Sequence, residues 1–326
     1  MKAVICTQYG APDVLQIRDI PKPAPKPNEV LIRIHAATVT PSDSAFRKGD
    51  PFIIRLIYGL RKPRLATQGV EFAGEIEAVG GSVTRFRPGE RVFGMSPDRF
   101  GAQAEYLSLA EDKPLTTRSE SLSAEEAVGI CDGATTALIF LRDVAKLRSG
   151  QRILINGASG AVGAYAVQLA KHYGAHVTGV CSGGNAQLVR ALGADEVIDY
   201  TREDFTTLGM TYDVIFDAVG KSSYGKCQRA LTRDGLYMTT VPSLGIVLRM
   251  AWTSLFSRRK AKFVTAGLMQ NHDNLAFLNT LANSGALRAV IDRCYPLDEV
   301  VEAHRYVETG RKKGNVILQV MQPADR

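Results

Sequence analysis

The chain has 326 residues, 45% hydrophobic and 22% charged, a balance that excludes a disordered chain and suits two domains. Its formal charge of +7 and isoelectric point near 9.1 favour an anionic ligand, but the basic residues are scattered and no nucleic-acid motif accompanies them, so no nucleic-acid partner is expected. Five widely spaced cysteines with no C-x-x-C pair argue against a disulfide scaffold and for a reduced setting.

The opening MKAVICTQYG holds too short an apolar run for a signal peptide, and no apolar stretch reaches the roughly 18 residues that crossing a membrane requires. A cytoplasmic protein is the expectation. Residues 2–7, 30–37, 71–79 and 91–95 are β-branched or apolar runs, separated by turn chemistry at Pro21 to Pro27, Gly80-Gly81 and Pro88-Gly89-Glu90. They predict a small barrel-like β domain over residues 1–122. The prolines read as an extended surface segment. Ser123-Ala-Glu-Glu126 is a capping box that opens a helical stretch.

Residues 151–200 form the centre of the chain: an apolar strand (152–156), a glycine-rich turn, a helix, a second strand (176–181), a second helix and a third strand ending near Tyr200. A pyrophosphate held at a helix N-terminus needs a tight turn free of bulky side chains, and Gly157, Ala158, Gly160, Ala161 and Gly163 meet that need. The turn follows a strand and opens a helix with apolar residues at Val162, Ala166, Val167, Leu169 and Ala170, which is the context a dinucleotide site demands. NAD is ordinarily held by an acid about 20 residues past the glycines, and none lies between His176 and Ala194. The second strand ends Cys181-Ser182-Gly183-Gly184-Asn185 instead, with Arg190 and Tyr200 following, so NADP(H) is favoured. A turn and helix N-cap remain the alternative roles for Ser182 and Asn185.

Further strands are expected at 212–217, 235–241 and 261–266, with a helix at 222–231, giving six strands in a doubly wound sheet over residues 123–265. Residues 245–262 depart from the alternation: they hold the single tryptophan, many large apolar residues and Arg258-Arg259-Lys260. A cover over the substrate cleft or a subunit contact is preferred there to a membrane-surface helix. Helices at 274–283 and 297–308 and strands at 288–294 and 315–320 read as a return, over 266–326, to the first domain.

With these pieces in order, the chain resembles a zinc-free medium-chain dehydrogenase/reductase of the quinone-oxidoreductase (zeta-crystallin-like) type. The motifs that carry the resemblance are Thr40-Pro-Ser-Asp43 with Arg47 and Gly49, Gly69-Val-Glu-Phe-Ala-Gly74, Val79-Gly80 with 86–94, Thr136-Ala137, Gly157 to Gly163, Leu192 to Asp195 with Ile198-Asp-Tyr200, Asp217-Ala-Val-Gly220, and 310–318. The resemblance implies an α/β fold: a GroES-like β-rich catalytic domain built from both chain ends, and a Rossmann-type domain with a doubly wound parallel sheet between them. It also implies a homodimer. Thr40 and Val70 stand where zinc-dependent relatives carry Cys and His, and neither binds zinc; Asp132 falls near the third position. Lacking a Lewis acid, the enzyme suits acceptors that already take hydride, quinones or C=C bonds conjugated to a carbonyl, in an interdomain cleft. By the same resemblance Thr40, Ser42 and Tyr58 contact the substrate. Thr136, Ser159, Ala161, Val162, Ser182, Asn185, Arg190, Tyr200, Ala218, Val219, Val241 and Lys313 join the three glycines around the cofactor. Where relatives often carry an arginine for the 2′-phosphate this chain has Gly184, and Arg311 and Asn315 replace the usual His and second Lys beside Lys312 and Lys313. Tyr58 and Lys62 have the spacing of a short-chain reductase dyad, but in the wrong order relative to the glycines. The rival readings are a zinc-dependent alcohol dehydrogenase, a non-catalytic dinucleotide-binding protein and a biosynthetic enoyl reductase.

Overall fold

Alternating apolar residues and frequent turns make most of the first third of the chain strands, with two short helices at 41–48 and 53–58, and helices become regular only after Ser123. The computed structural model describes residues 1–321. In chain order the elements begin with β1 (Lys2–Cys6), β2 (Leu15–Asp19), β3 (Glu29–Val39), α1 (Pro41–Lys48), α2 (Ile53–Tyr58), β4 (Glu71–Val79), β5 (Arg91–Met95), β6 (Tyr106–Ala110), β7 (Leu115–Thr117) and α3 (Ala124–Gly129). Then come α4 (Asp132–Leu138), β8 (Arg152–Asn156), α5 (Ala161–His172), β9 (His176–Cys181), α6 (Ala186–Ala191), β10 (Glu196–Asp199), β11 (Tyr212–Asp217), α7 (Tyr224–Cys227), β12 (Leu231–Thr239), α8 (Leu244–Phe256) and β13 (Lys260–Phe263). The chain closes with α9 (His272–Asn283), β14 (Ile291–Pro296), α10 (Val300–Glu308) and β15 (Asn315–Gln319).

Two compact units result, Met1–Asp132 with the segment from Asn271 on, and Gly133–Gln270. The boundaries lie later than the 122/123 and 265/266 read from the sequence. The helix opened by the Ser123 capping box packs on β3, β4 and β15, and so belongs with the first unit.

In the first unit β3 is the spine. Its 11 residues pair with β6 through residues 29–33, with β4 through 30–37 and with β15 through 36–39. The sheet runs β14-β15-β3-β4-β5-β7, so the C-terminal segment returns to the β domain as the sequence suggested. Ile32, Ile34, Phe72, Ile76, Val92 and Leu107 fill one core and Val4, Val39, Val300, Ala303, Val316 and Leu318 another. Three strands, β2, β6 and β7, were not foreseen. In β2 only Leu15 is buried, which leaves little alternation to read.

The second unit holds a six-stranded parallel sheet of order β10-β9-β8-β11-β12-β13, the 3-2-1-4-5-6 arrangement of a dinucleotide fold. Covered on both faces, its central strands are near-continuous apolar runs: Ile153, Leu154, Ile155, Ile215 and Phe216 are fully buried. The helix expected at 222–231 shrinks to α7. The strand expected at 235–241 starts earlier, at Leu231, because Leu231 pairs with Tyr212.

Candidate functional site

Where β8 ends, the chain turns sharply. Gly157 adopts φ +82°, and the amides of Gly157 and Ala158 both donate to the Val180 carbonyl at 3.0 Å. A Cβ on Gly163 would collide with the Gly157 carbonyl oxygen, so this position admits only hydrogen. Gly160 is the N-cap of α5 and offers no side-chain cap, leaving the first amides of a 12-residue helix without an internal partner. A Cβ there would meet nothing nearer than the Gly157 oxygen at 3.4 Å, so the space outside the turn is open. Unpaired amides, a helix N-terminus and a side-chain-free approach fit a dinucleotide pyrophosphate. Ser159 stands in the turn, and Ala161 and Val162 are the first two residues of α5.

The neighbouring strand brings its turn to the same place. Asn185 donates its side-chain amide to the Ser159 hydroxyl at 3.0 Å, joining two of the expected cofactor residues. Ser182 and Asn185 stand at the N-cap positions of the two short helical segments here, as their alternative reading had it, but neither caps with its side chain, which leaves both side chains available to a ligand. Arg190 is exposed on α6, and Tyr200 is 62% exposed with its amide donating to the Cys181 carbonyl. A residue the sequence reading passed over lies among them. Because β10 runs parallel to β9 with Asp199 opposite Cys181, the Asp199 carboxylate reaches the Ser182-Gly183 turn; a Cβ on Gly183 would stand 2.5 Å from its Oδ2. Hydrogen bonds from Thr201 hold this carboxyl below the usual carboxylate range, and it is therefore ionised. The absence of an acid on β9 thus does not leave the turn free of negative charge.

At the ends of β11 and β12 the buried Asp217 organises the next loop. It accepts from Asn156 Nδ2 (3.0 Å), Ser222 N (2.8 Å), the Tyr237 hydroxyl (3.2 Å) and the amides of Val219 and Lys221. Burial, and then Asp217, push the Tyr237 phenol up, so it remains a donor. The loop presents Ala218, whose amide donates to the Asn156 carbonyl, and half-exposed Val219 and Val241. Val219 packs where a Cβ of Gly157 would go, and Val241 where a Cβ of Gly220 would go, so two valines and two glycines form one apolar bed beside the glycine-rich turn. Thr136 is buried in α4 of this unit.

The expected substrate residues lie in the first unit. Thr40 caps α1 reciprocally with Asp43: its amide and hydroxyl both donate to Asp43 Oδ2 at 2.7 Å. Thr40 thus holds the start of α1 with the hydroxyl that the sequence reading assigned to the substrate. Burial lifts Asp43 to about 6. Ser42 is exposed one residue before Asp43. Tyr58 is half-buried against Phe46 and Phe100, with ring centroids at 4.8 and 5.4 Å, and burial keeps its phenol protonated. Lys313 is exposed beside Asp292, which accepts its amide at 3.0 Å.

The donor set here does not fit zinc. Val70 offers no ligand atom, and the Thr40 hydroxyl is engaged by Asp43. Both Glu71 oxygens are taken, one by the Thr38 hydroxyl at 2.9 Å and one by the Asp132 amide at 3.1 Å. Among the described residues no group of three His, Cys, Asp or Glu side chains is placed to hold a metal ion. Burial raises the Glu71 carboxyl and lowers the Lys312 ammonium to about 8; the Lys312 Nζ donates to the Gly314 carbonyl at 2.6 Å. In the sequence Glu71 was only part of a glycine motif, and Lys312 only one of two lysines kept in the C-terminal motif.

Comparison with known proteins agrees with this geometry. Residues 26–118 match the model of the alcohol dehydrogenase GroES-like domain and residues 192–318 that of the zinc-binding dehydrogenases. A quinone-oxidoreductase homolog from spinach chloroplasts is 32% identical over 98% of both chains. The chain belongs to the zinc-free, quinone-oxidoreductase-type medium-chain dehydrogenases/reductases, and it is an oxidoreductase of that type. An NADPH-dependent alkenal/one oxidoreductase of Arabidopsis thaliana chloroplasts is 32% identical over 98% of this chain and 79% of its own. The solved quinone oxidoreductase of Coxiella burnetii superposes with a TM-score of 0.89 at 30% identity, covering 98% of this chain and 99% of that one. The expectation of a cytoplasmic protein is overturned by the same comparison, since these plant relatives are named as chloroplastic.

Proposed function

We propose that the protein transfers a hydride from NADPH to a quinone, or to the β-carbon of a C=C bond conjugated to a carbonyl, without a metal. The observation that carries this reading is the pairing of a well-formed pyrophosphate turn at Gly157 to Gly163 with a first unit whose Thr40, Val70 and Glu71 leave zinc no ligands. A dinucleotide held by its pyrophosphate at the turn would supply the hydride from its nicotinamide ring. The chain's own residues then position and stabilise: the amides of the turn and of the α5 N-terminus hold the pyrophosphate, and Val219 and Val241 give the nicotinamide an apolar bed. Ser42 and the protonated Tyr58 are the candidates to donate to the oxygen on which charge develops. Preference for NADPH is supported by Arg190 near the Ser182-Asn185 turn and by the name of the Arabidopsis relative, and opposed by the Asp199 carboxylate. A homodimer belongs to the same proposal. The test is steady-state oxidation of NADPH and NADH by metal-analysed protein, with 1,4-benzoquinone, 9,10-phenanthrenequinone and a simple enal. Turnover that survives chelation supports the proposal. Turnover restored only by zinc, or none with any acceptor, overturns it.

A further inference from the structure

Helix α2 in the first unit carries an apolar patch that faces solvent. None of its six residues is buried, and Phe52, Ile53, Leu56, Ile57 and Leu60 are each between 55% and 61% exposed. The opposite side is where the helix is fastened. Arg55 Nε donates to the Gly49 carbonyl at 3.1 Å, and its guanidinium lies over the Tyr9 ring at 4.8 Å. The Tyr9 hydroxyl donates to the Gly59 carbonyl at 2.5 Å, and the Arg64 amide to the Tyr58 carbonyl at 2.7 Å. Tyr58 itself turns inward onto Phe46 and Phe100. Two hydrogen bonds with Ser96 hold Phe100 in the left-handed region, φ +58°, a costly conformation that a bulky residue keeps only where its surroundings impose it. The helix therefore has a rigid footing and a free apolar side, a combination that covering a core does not require.

Charge indicates what the patch receives. Residues 51–70 contain Arg55, Arg61, Lys62 and Arg64 and no Asp or Glu. Arg55 is engaged by a backbone carbonyl, but Arg61, Lys62 and Arg64, exposed just past the helix, enter none of the ion pairs among the described residues. Asp98, whose charge bears on Tyr58, is itself paired with Lys113 at 2.6 Å. Tyr58 is one of the two candidate donors to the acceptor's oxygen, and it lies on the same helix as the patch, so one molecule can reach both. We infer that residues 52–64 bind the far end of the acceptor: an apolar chain lies along Phe52, Leu56, Ile57 and Leu60, and an anionic group at its end, carboxylate or phosphate, is held by Arg61, Lys62 and Arg64. The inference rests on the proposed hydride transfer and names its acceptor class, an enal, enone or quinone on a long chain with a negative end. A bilayer fits less well, because helices that lie in a membrane interface often run to roughly 20–30 residues and α2 has six. A two-fold contact with a second copy would set one acid-free cationic run against another.

The test gives the full chain NADPH and the trans-2-enals from butenal to dodecenal, then dodecenal bearing a terminal carboxylate or a terminal phosphate. A methylene taken fully out of water contributes roughly fourfold and one laid on an exposed face roughly twofold, so kcat/KM should rise about twofold per methylene. The two charged dodecenals should exceed the neutral one several-fold at low salt, with the better of them identifying the end group, and added salt should erase the difference. Ile57→Ser with Leu60→Ser should flatten the chain-length slope, and Arg61→Gln with Lys62→Gln should remove the preference for a charged end, each read as the ratio of long to short acceptor with circular dichroism unchanged. A flat slope in the wild type, or one that Ile57→Ser with Leu60→Ser keeps, overturns the inference, while turnover of butenal leaves the proposed function standing. A flat slope accompanied by a dimer lost in that variant, or by attachment to phosphatidylglycerol vesicles, assigns the patch to a second copy or to lipid. No turnover with any acceptor sinks the proposed function instead, and calorimetry with saturated carboxylates from hexanoate to dodecanoate then decides the inference: affinity must rise with length in the wild type and stay level in Ile57→Ser with Leu60→Ser. If a variant fails to fold, the wild-type slope and the salt-sensitive preference for a charged end carry the decision.

Discussion

Gly184 is the position at which cofactor preference can be altered with least disturbance. Its backbone does not take a positive φ, and nothing lies within 4 Å of where its Cβ would stand, so Gly184→Arg introduces a side chain without strain or collision. A charge-assisted hydrogen bond from the new guanidinium to a 2′-phosphate contributes about 1.5–3 kcal/mol, which at about 1.4 kcal/mol per decade tightens NADPH roughly 10- to 100-fold. NADH has no such phosphate and should bind as before. The ionised Asp199 beside Gly183 competes for the guanidinium, so the lower end of the range is expected. Asp199→Asn should by itself tighten NADPH and add to the effect of Gly184→Arg. Dinucleotide fluorescence titrations at two salt concentrations measure both affinities. If NADH tightens as much as NADPH, the gain is general attraction to the pyrophosphate; if neither variant changes the ratio, the 2′-phosphate does not lie at this turn and the NADPH reading is wrong.

Two of the turn's three glycines separate folding from binding. Gly163→Ala forces a methyl onto the Gly157 carbonyl and should cost about 1–3 kcal/mol of stability together with dinucleotide binding. Gly160→Ala should leave the thermal midpoint unchanged yet weaken both dinucleotides, and unaltered binding would place the pyrophosphate elsewhere. His304 sets an acid limit on the fold. It is fully buried near Arg47, its ring nitrogens have no hydrogen-bond partner, and burial lowers it to about 3. The unfolded chain takes up this proton near pH 6.5 and the folded one only near 3, so stability is full above about 6.5 and falls as pH drops between these values, by about 2 kcal/mol at pH 5. Denaturant midpoints from pH 7 to 5 should show that slope and His304→Leu should flatten it; an unchanged slope in the variant would assign it to other groups.

The resemblance and the strand-turn-helix order of residues 151–200 were legible because they rest on local rules: period-2 and period-3.6 patterns, glycines where side chains collide, a capping box at Ser123. Hence β4, β5, β8, β9 and β11 lie where the sequence put them. What escaped was set by partners distant along the chain. Strand β2 gains its place by pairing with β1, and β6 and β7 by joining a sheet whose register no local pattern states. Asp199 follows Gly183 by 16 positions in the sequence, yet parallel pairing brings its carboxylate to the turn, which changes the electrostatics of the expected 2′-phosphate position. Thr40 was read as a substrate contact, and only the formation of α1 shows that its hydroxyl also belongs to a capping box. The apolar character and charge of residues 245–262 were plain in the sequence, but which face of α8 meets solvent was decided by the few residues, Ile246, Met250 and Thr253, that the sheet core accepts. Sequence fixes which groups a segment carries, whereas their neighbours, and so their charge state and availability, arise only when the sheet register closes around them.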